Sequence, residues 1–330
     1  MTGSLIIDLV ESVGALAEGD TVSLPLRGRE DLPLVRAWCE RTGNSVAAES
    51  DGHVSVRRGT PPDPLLDVPA DRRPGTRLWI YTNFDCNLSC DYCCVRSSPS
   101  TPRRALGADS IRRLATEAAA AGVAELLLTG GEPFLLPELG EIVDACASAL
   151  PTTLLTNGML FHGRRLATLQ GMPRDRVRLQ ISLDSAEPER HDAHRGAGSW
   201  ARALAGIRTA LGEGFTVRVA ATLVGTDPDE EAELRSFLGG LGIPAEHQVL
   251  RPLAHRGFAE EGLTLTTETL VPEVTVTTQG VYWHPVGADD ADQLVTAELF
   301  PLAPAVLRVQ ELFREQRASG DARARSFPCA

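Results

Sequence analysis

The stretch Thr82-Asn83-Phe84-Asp85-Cys86-Asn87-Leu88-Ser89-Cys90-Asp91-Tyr92-Cys93-Cys94 constrains this chain more than any other. Its cysteines Cys86, Cys90 and Cys93 are spaced C-x3-C-x2-C and follow directly on an apolar run, Leu78 to Tyr81. Thiolates at that density suit soft or borderline metals, and three on one short loop cap one face of an iron–sulfur cubane. A [4Fe-4S] cluster takes four ligands, so three leave one iron open to chelate a small molecule and hand it an electron. Structural zinc prefers two C-x2-C pairs or added histidines, and no second pair lies nearby.

This spacing, with the aromatic Tyr92 just before the third cysteine, resembles the signature of the radical S-adenosylmethionine (SAM) superfamily. Thr129-Gly130-Gly131-Glu132-Pro133, after a second apolar run, matches the GGEP motif of that superfamily. The resemblance implies that Gly130, Gly131 and Glu132 bind the methionine amino group of SAM, glycine allowing close backbone approach. A side chain at Gly131 is then expected to intrude on SAM, so Gly131→Val keeps the cluster and loses SAM cleavage.

The same resemblance implies a pocket-facing Thr156-Asn157, a Ser182 that hydrogen-bonds SAM, and a Leu250 that touches its adenine. Asp184, beside Ser182, reads equally as a ligand contact or as a turn residue. Arg195, in His191-Asp192-x-x-Arg195-Gly196, either holds a carboxylate of SAM or substrate, since guanidinium matches carboxylate bidentately, or pairs with Asp192. Arg251 is a second candidate anion clamp. Cys94, which abuts the third ligand, is either structural or a hydrogen-atom donor.

The chain has 330 residues, 43% of them hydrophobic, which suffices for two or three units with buried cores. No run is long and apolar enough to span a bilayer, and the acidic N-terminus lacks the basic start of a signal peptide. Seven cysteines in that setting argue for reduced thiols, metal ligation and a cytoplasmic location. The net charge of −12 weighs against nucleic acid as a partner. All 32 basic residues are arginine. With no lysine there is neither a Schiff-base cofactor nor a Walker A phosphate loop.

Residues 1–60 read as a small α/β unit. A helix pattern over Leu9 to Leu16 leads to a strand over Thr21 to Leu26. A second helix over Leu32 to Arg41 has Gly43 at its C-cap, and a hairpin turns at Asp51-Gly52. The order is similar to the TusA/SirA sulfur-carrier fold, but that family works with a Cys-Pro motif that is absent here. Cys39 lies in the second helix pattern and reads as a core thiol, so the unit is expected to dock a substrate, partner or carrier protein. Residues 61–75 form a proline-rich linker.

From residue 76 to about 255, strand and helix patterns alternate. Strands at Leu78–Thr82, Glu125–Thr129, Thr152–Leu155, Arg178–Leu183, Thr216–Thr222 and Gln248–Arg251 predict an α/β fold, a partial (β/α)6 TIM barrel with motifs at the strands' carboxyl ends. Residues 256–330 resemble the SPASM/twitch extension of peptide- and metabolite-modifying relatives. Such extensions hold auxiliary clusters through several cysteines, and only Cys329 stands here. A cluster-free hairpin-and-helix segment over the barrel mouth is therefore expected.

The resemblance implies an enzyme with one [4Fe-4S] cluster and SAM. It would generate a 5′-deoxyadenosyl radical that takes hydrogen from a peptide or small natural product, fed by a reductant such as flavodoxin or ferredoxin. An iron–sulfur redox sensor or electron carrier explains the cysteines without the GGEP motif, and SAM binding discriminates the two.

Overall fold

The computed structural model describes residues 5–50, 52–60, 65, 68–225, 228–267, 270–318 and 328–329. Residues 61–64, 66 and 67 of the expected proline-rich linker, Asp51 of the expected turn, and residues 319–327 lie outside these. The chain divides into two compact units, Met1–Val68 and Pro69–Ala330.

In the first unit, α1 (Leu5–Gly14), β1 (Thr21–Pro25), α2 (Asp31–Thr42), β2 (Ser45–Ser50) and β3 (His53–Arg57) follow in order. The strands pair antiparallel in the order β1-β3-β2. Leu9, Val35, Val54 and Val56 are fully buried at the centre. Gly43 caps α2 in the left-handed region at φ 72°, its N–H donating to the Cys39 carbonyl, as a C′ glycine does. Cys39 is buried in this unit's own core, and burial pushes its thiol pKa up.

The second unit is built on parallel strands β4 (Arg77–Tyr81), β5 (Glu125–Thr129), β6 (Thr152–Thr156), β7 (Val177–Ser182), β8 (Val217–Leu223) and β9 (Gln248–Pro252). Between them run α3 (Ala108–Ala120), α4 (Leu139–Ala149), α5 (Gly163–Gly171), α6 (Pro188–Arg195), α7 (Ser199–Gly212) and α8 (Pro228–Gly240). Every residue of β4 is buried, as expected of a strand covered on both faces. Leu78, Ile80, Leu126 and Leu128 alternate toward the helix layer, where Ile111 and Leu114 are equally solvent-free.

The six parallel strands do not close into a ring. The sheet has nine strands in the order β12-β11-β10-β4-β5-β6-β7-β8-β9, with β10 (Thr275–Thr277), β11 (Gly280–Tyr282) and β12 (Leu294–Thr296) added beyond β4. The hairpin β10–β11 therefore extends the sheet edge, where sequence reading expected it over the mouth. β10 runs parallel to β4, with Thr275 opposite Trp79, and satisfies an edge that would otherwise stand unpaired. What reaches the mouth instead is the loop after it, Pro285 and Val286, together with Cys329. The final helix α9 (Leu302–Ala318) packs near α3, where Glu117 accepts the Leu302 N–H at 2.6 Å.

Candidate active site

A cavity of about 190 Å³ opens at the carboxyl ends of the parallel strands. Cys86, Cys90, Cys93 and Tyr92 line one side, with Gly130, Gly131, Thr156, Asn157, Ser182 and Arg195 beside them. Cys94, Arg251 and Cys329 line the other side with Trp79, Leu155, Leu253 and Val286. Of the residues singled out from sequence, Glu132 and Asp184 sit behind this lining, and Leu250 lies on β9 outside it while Arg251 and Pro252 enter it.

The cysteine loop and the glycine turn are bound to each other. Gly131 N–H donates to the Asn83 carbonyl at 2.9 Å and Glu132 N–H to the Asp85 carbonyl at 3.0 Å. The Asn83 side-chain amide donates to the Asp85 and Glu132 carbonyls. A Cβ at Gly130 would stand 2.5 Å from Asn83 Oδ1, and one at Gly131 2.5 Å from the Asp85 carbonyl carbon. The glycines are thus demanded first by the approach of one loop to the other, where sequence reading assigned that demand to SAM.

Glu132 is fully buried and does not face the cavity. Its carboxylate accepts from Phe134 N–H at 3.0 Å, Thr156 Oγ1 at 2.8 Å and Asn157 N–H at 2.8 Å. Burial raises its pKa despite these three bonds. It ties the turn after β5 to the end of β6, and Asn157 passes the connection on by donating to Asn87 Oδ1 at 2.8 Å in the cysteine loop.

The Arg195 guanidinium clasps Asp184, Nε to Oδ2 at 2.5 Å and Nη2 to Oδ1 at 3.1 Å. The alternative partner Asp192 turns away and accepts from Gly198 N–H, Ser199 Oγ and Trp200 N–H, capping the start of α7. Asp184 also accepts from the Tyr92 hydroxyl and from Thr222 N–H. Burial alone would raise its pKa, but Arg195 dominates and holds the carboxyl at about 2. Arg195 also lies over the Tyr92 ring, 5.5 Å from its centre. Asp184 is therefore an anchor that sets Tyr92 and Arg195 at the cavity wall.

His191, fully enclosed behind this pair, accepts the Asp184 N–H on Nδ1 at 3.1 Å, so its proton sits on Nε2. Burial lowers its pKa to about 4, keeping it neutral beside Arg195.

The residues present fit a polynuclear cluster. Cys86 Sγ accepts from Leu88 N–H at 3.4 Å and Cys93 Sγ from Ser97 N–H at 3.3 Å, the kind of N–H···S bond that tunes cluster thiolates. Burial penalises bare thiolates here and lifts Cys86 to about 12 and, against the opposing pull of Arg195, Cys90 to about 11. Among the described residues no three His, Cys, Asp or Glu side chains converge on a single-ion site. Thiolates that grip a cubane approach separate corners and need not converge.

Sequence reading missed several contributors. Asn83 and Asn87 stitch the cysteine loop to its neighbours. Gly257, in the left-handed region at φ 67°, brings Phe258 N–H to the Cys93 carbonyl at 2.9 Å and leaves no room for a Cβ against Cys94. A glycine in an irregular loop carries no local signal of such an approach. Cys94 is half-buried, and burial pushes its thiol to about 12. Cys146, also near 12, is buried in α4 away from the cavity.

The chain is 32% identical over 164 residues to the AdoMet-dependent heme synthase of Methanosarcina barkeri, covering 49% of this chain and 46% of that one. It is 34% identical over 165 residues to the antilisterial bacteriocin subtilosin biosynthesis protein AlbA of Bacillus subtilis, covering 48% and 36%. It therefore spans less than half the length of these two relatives. The crystal structure of Streptococcus suis SuiB bound to S-adenosylmethionine shares the fold at a TM-score of 0.50 and 20% identity, over 60% of this chain and 45% of that one. The radical SAM profile matches residues 80–238, the span from β4 through the cysteine loop into α8. That match and the curated relatives make residues 80–238 of this chain a radical SAM domain.

Proposed function

We propose that this chain holds one [4Fe-4S] cluster on Cys86, Cys90 and Cys93, and binds SAM between that cluster and the ends of β5, β6 and β7. The observation that carries the reading is the single cavity onto which the three cysteines, the Gly130-Gly131 turn and Ser182 open together. When bound, the cluster supplies the electron that splits SAM into methionine and a 5′-deoxyadenosyl radical, which takes a hydrogen atom from the substrate. Gly130 and Gly131 present backbone to the methionine amino group, and Ser182 and Thr156 offer hydroxyls. Arg195, already neutralised by Asp184, presents a donor-rich edge and not a net positive charge. Apolar Trp79, Leu155 and Val286 shield the far side from water and keep the radical from quenching.

The substrate class we propose is a peptide or small natural product, a reading supported by the likeness to a bacteriocin biosynthesis protein. The N-terminal unit is proposed to dock that substrate, its carrier or a partner, and a flavodoxin- or ferredoxin-type reductant supplies the electron. Residues 256–330 are proposed to carry no auxiliary cluster, since Cys329 is their single cysteine.

Anaerobic reconstitution followed by reduction with dithionite in the presence of SAM tests the reading. The expected product is 5′-deoxyadenosine. A reconstituted protein that neither binds SAM nor forms it would leave a redox sensor or electron carrier as the function.

A further inference from the structure

The far side of the cavity is partly filled by the chain itself. Cys329 is 3% exposed, and its side chain packs among Trp79, Leu127, Ala254, Leu265 and Val286. Its main-chain carbonyl accepts from Gln180 Nε2 at 2.8 Å and from Arg251 Nη1 at 3.3 Å. Both donors project from parallel strands. Gln180 stands two residues before Ser182 on β7, so the two share a face of the sheet, with Gln180 deeper.

The arrangement leaves two groups underused. Gln180 is 2% exposed, yet its Oε1 has no hydrogen-bond partner among the described residues. A carboxamide has a donor and an acceptor side by side and can satisfy the C=O and an N–H of an extended main chain together. Here only the donor half is used. Arg251, half-buried, donates to neutral oxygens, the Cys329 carbonyl and Thr222 Oγ1, each at 3.3 Å, and pairs with no carboxylate among the described residues. A buried acceptor left unmatched at Gln180, with the half-buried Arg251 guanidinium beside it on the same carbonyl, suits a ligand that completes both.

We infer that Gln180 and Arg251 form a subsite that reads the main chain of a peptide substrate, and that Pro328–Cys329 occupies it as a stand-in. The inference rests on the peptide reading of the proposed function. It adds a specificity: the apolar pocket around the Cys329 side chain takes a residue of cysteine or alanine size beside the recognised carbonyl. The substrate main chain and segment 328–329 compete for the same donors, so substrate entry requires that segment to withdraw.

The probe is a fluorescent synthetic peptide of residues 321–330, measured by anisotropy against reconstituted protein without oxygen. It is expected to bind a chain shortened to end at Ala318 at least tenfold more tightly than the full chain. Gln180→Leu or Arg251→Gln in the shortened chain should weaken that binding at least tenfold. Equal affinity for the two lengths, no binding, or indifference to Gln180→Leu overturns the inference.

Should the shortened chain fail to fold, the full chain decides by maleimide labelling of Cys329 read by peptide mapping. Gln180→Leu should speed labelling at least tenfold, and an unchanged rate overturns the inference. The same preparations are assayed for 5′-deoxyadenosine. Formation of 5′-deoxyadenosine without peptide binding defeats the subsite alone, and peptide binding without 5′-deoxyadenosine defeats the proposed chemistry alone.

Discussion

Gly131 lies so close to Asp85 that a Cβ on it would stand 2.5 Å from the Asp85 carbonyl carbon. Asp85 immediately precedes the first cysteine of the loop, and Arg103 pairs with its carboxylate at 3.0 Å. A side chain at Gly131 therefore pushes on the cysteine loop before it touches any ligand. Gly131→Val is expected to lose most of its iron and sulfide on reconstitution, together with SAM cleavage. Measured iron content equal to wild type would show that the turn can move away from the loop and that the glycine serves the ligand alone.

Cys86, Cys90 and Cys93 line one cavity, while Cys39 and Cys146 are buried in cores elsewhere. Each of the first three changed to Ala should abolish cluster absorbance. Cys39→Ala and Cys329→Ala should keep it, Cys39→Ala costing about 1 kcal/mol of stability in its own unit. Iron and sulfide counts of the wild type should match one cubane, and twice that would place a second cluster in the chain.

The alternation of strand and helix from Arg77 to Pro252 was legible because its signals are local: apolar runs, helical periodicity and glycines after them. The cysteine loop was legible because its spacing is chemistry in itself. Arg195 was harder. Asp192, three residues away, is the nearer carboxylate along the chain, and only the packing of α6 against the end of β7 brings Asp184 to the guanidinium. That Asp192 precedes Gly198-Ser199-Trp200 and caps their helix is a local signal that sequence reading passed over. The parallel pairing of β10 with β4 joins residues 196 positions apart, and the bonds that return Cys329 to the sheet reach back 149 positions to Gln180 and 78 to Arg251. Neither leaves a periodic trace.

Acid should destabilise the second unit first through its buried histidine. The folded pKa of His191, about 4, lies below its ordinary value of 6.5, so the unfolded chain binds the extra proton. Stability is therefore complete above pH 6.5 and falls as pH drops from there toward 4. His284, also buried and lowered to about 4, adds in the same direction. His191→Asn keeps an acceptor for Asp184 N–H without the titration. The wild type should lose about 1 kcal/mol more than this variant between pH 7 and pH 5.5. Melting temperatures across that range check it, and parallel curves would mean His191 is not held neutral.

Asp184 holds Arg195 and Tyr92 at the cavity wall, so its removal tests whether that wall serves SAM. The depressed carboxyl, at about 2 against 3.8, contributes stability that is present above the ordinary aspartate range and lost only as pH falls toward 2. Asp184→Asn keeps size but turns one of two accepting oxygens into a donor and strands a buried guanidinium, which costs roughly 3–5 kcal/mol when a buried pair is broken. Ser182→Ala, at the same strand end, leaves the pair intact and removes one hydroxyl, with a loss of roughly 0.5–1.5 kcal/mol in SAM binding if that hydroxyl bonds the ligand. The two variants should therefore separate. Ser182→Ala should melt within a degree or two of wild type and bind SAM a few-fold more weakly. Asp184→Asn should melt well below wild type and bind SAM more weakly still, because Arg195 and Tyr92 lose their common anchor. Equilibrium binding of SAM to the oxidised, reconstituted proteins, paired with thermal melts, reads both. Wild-type SAM affinity in Asp184→Asn would make the Asp184–Arg195 pair a structural strut with no bearing on the ligand.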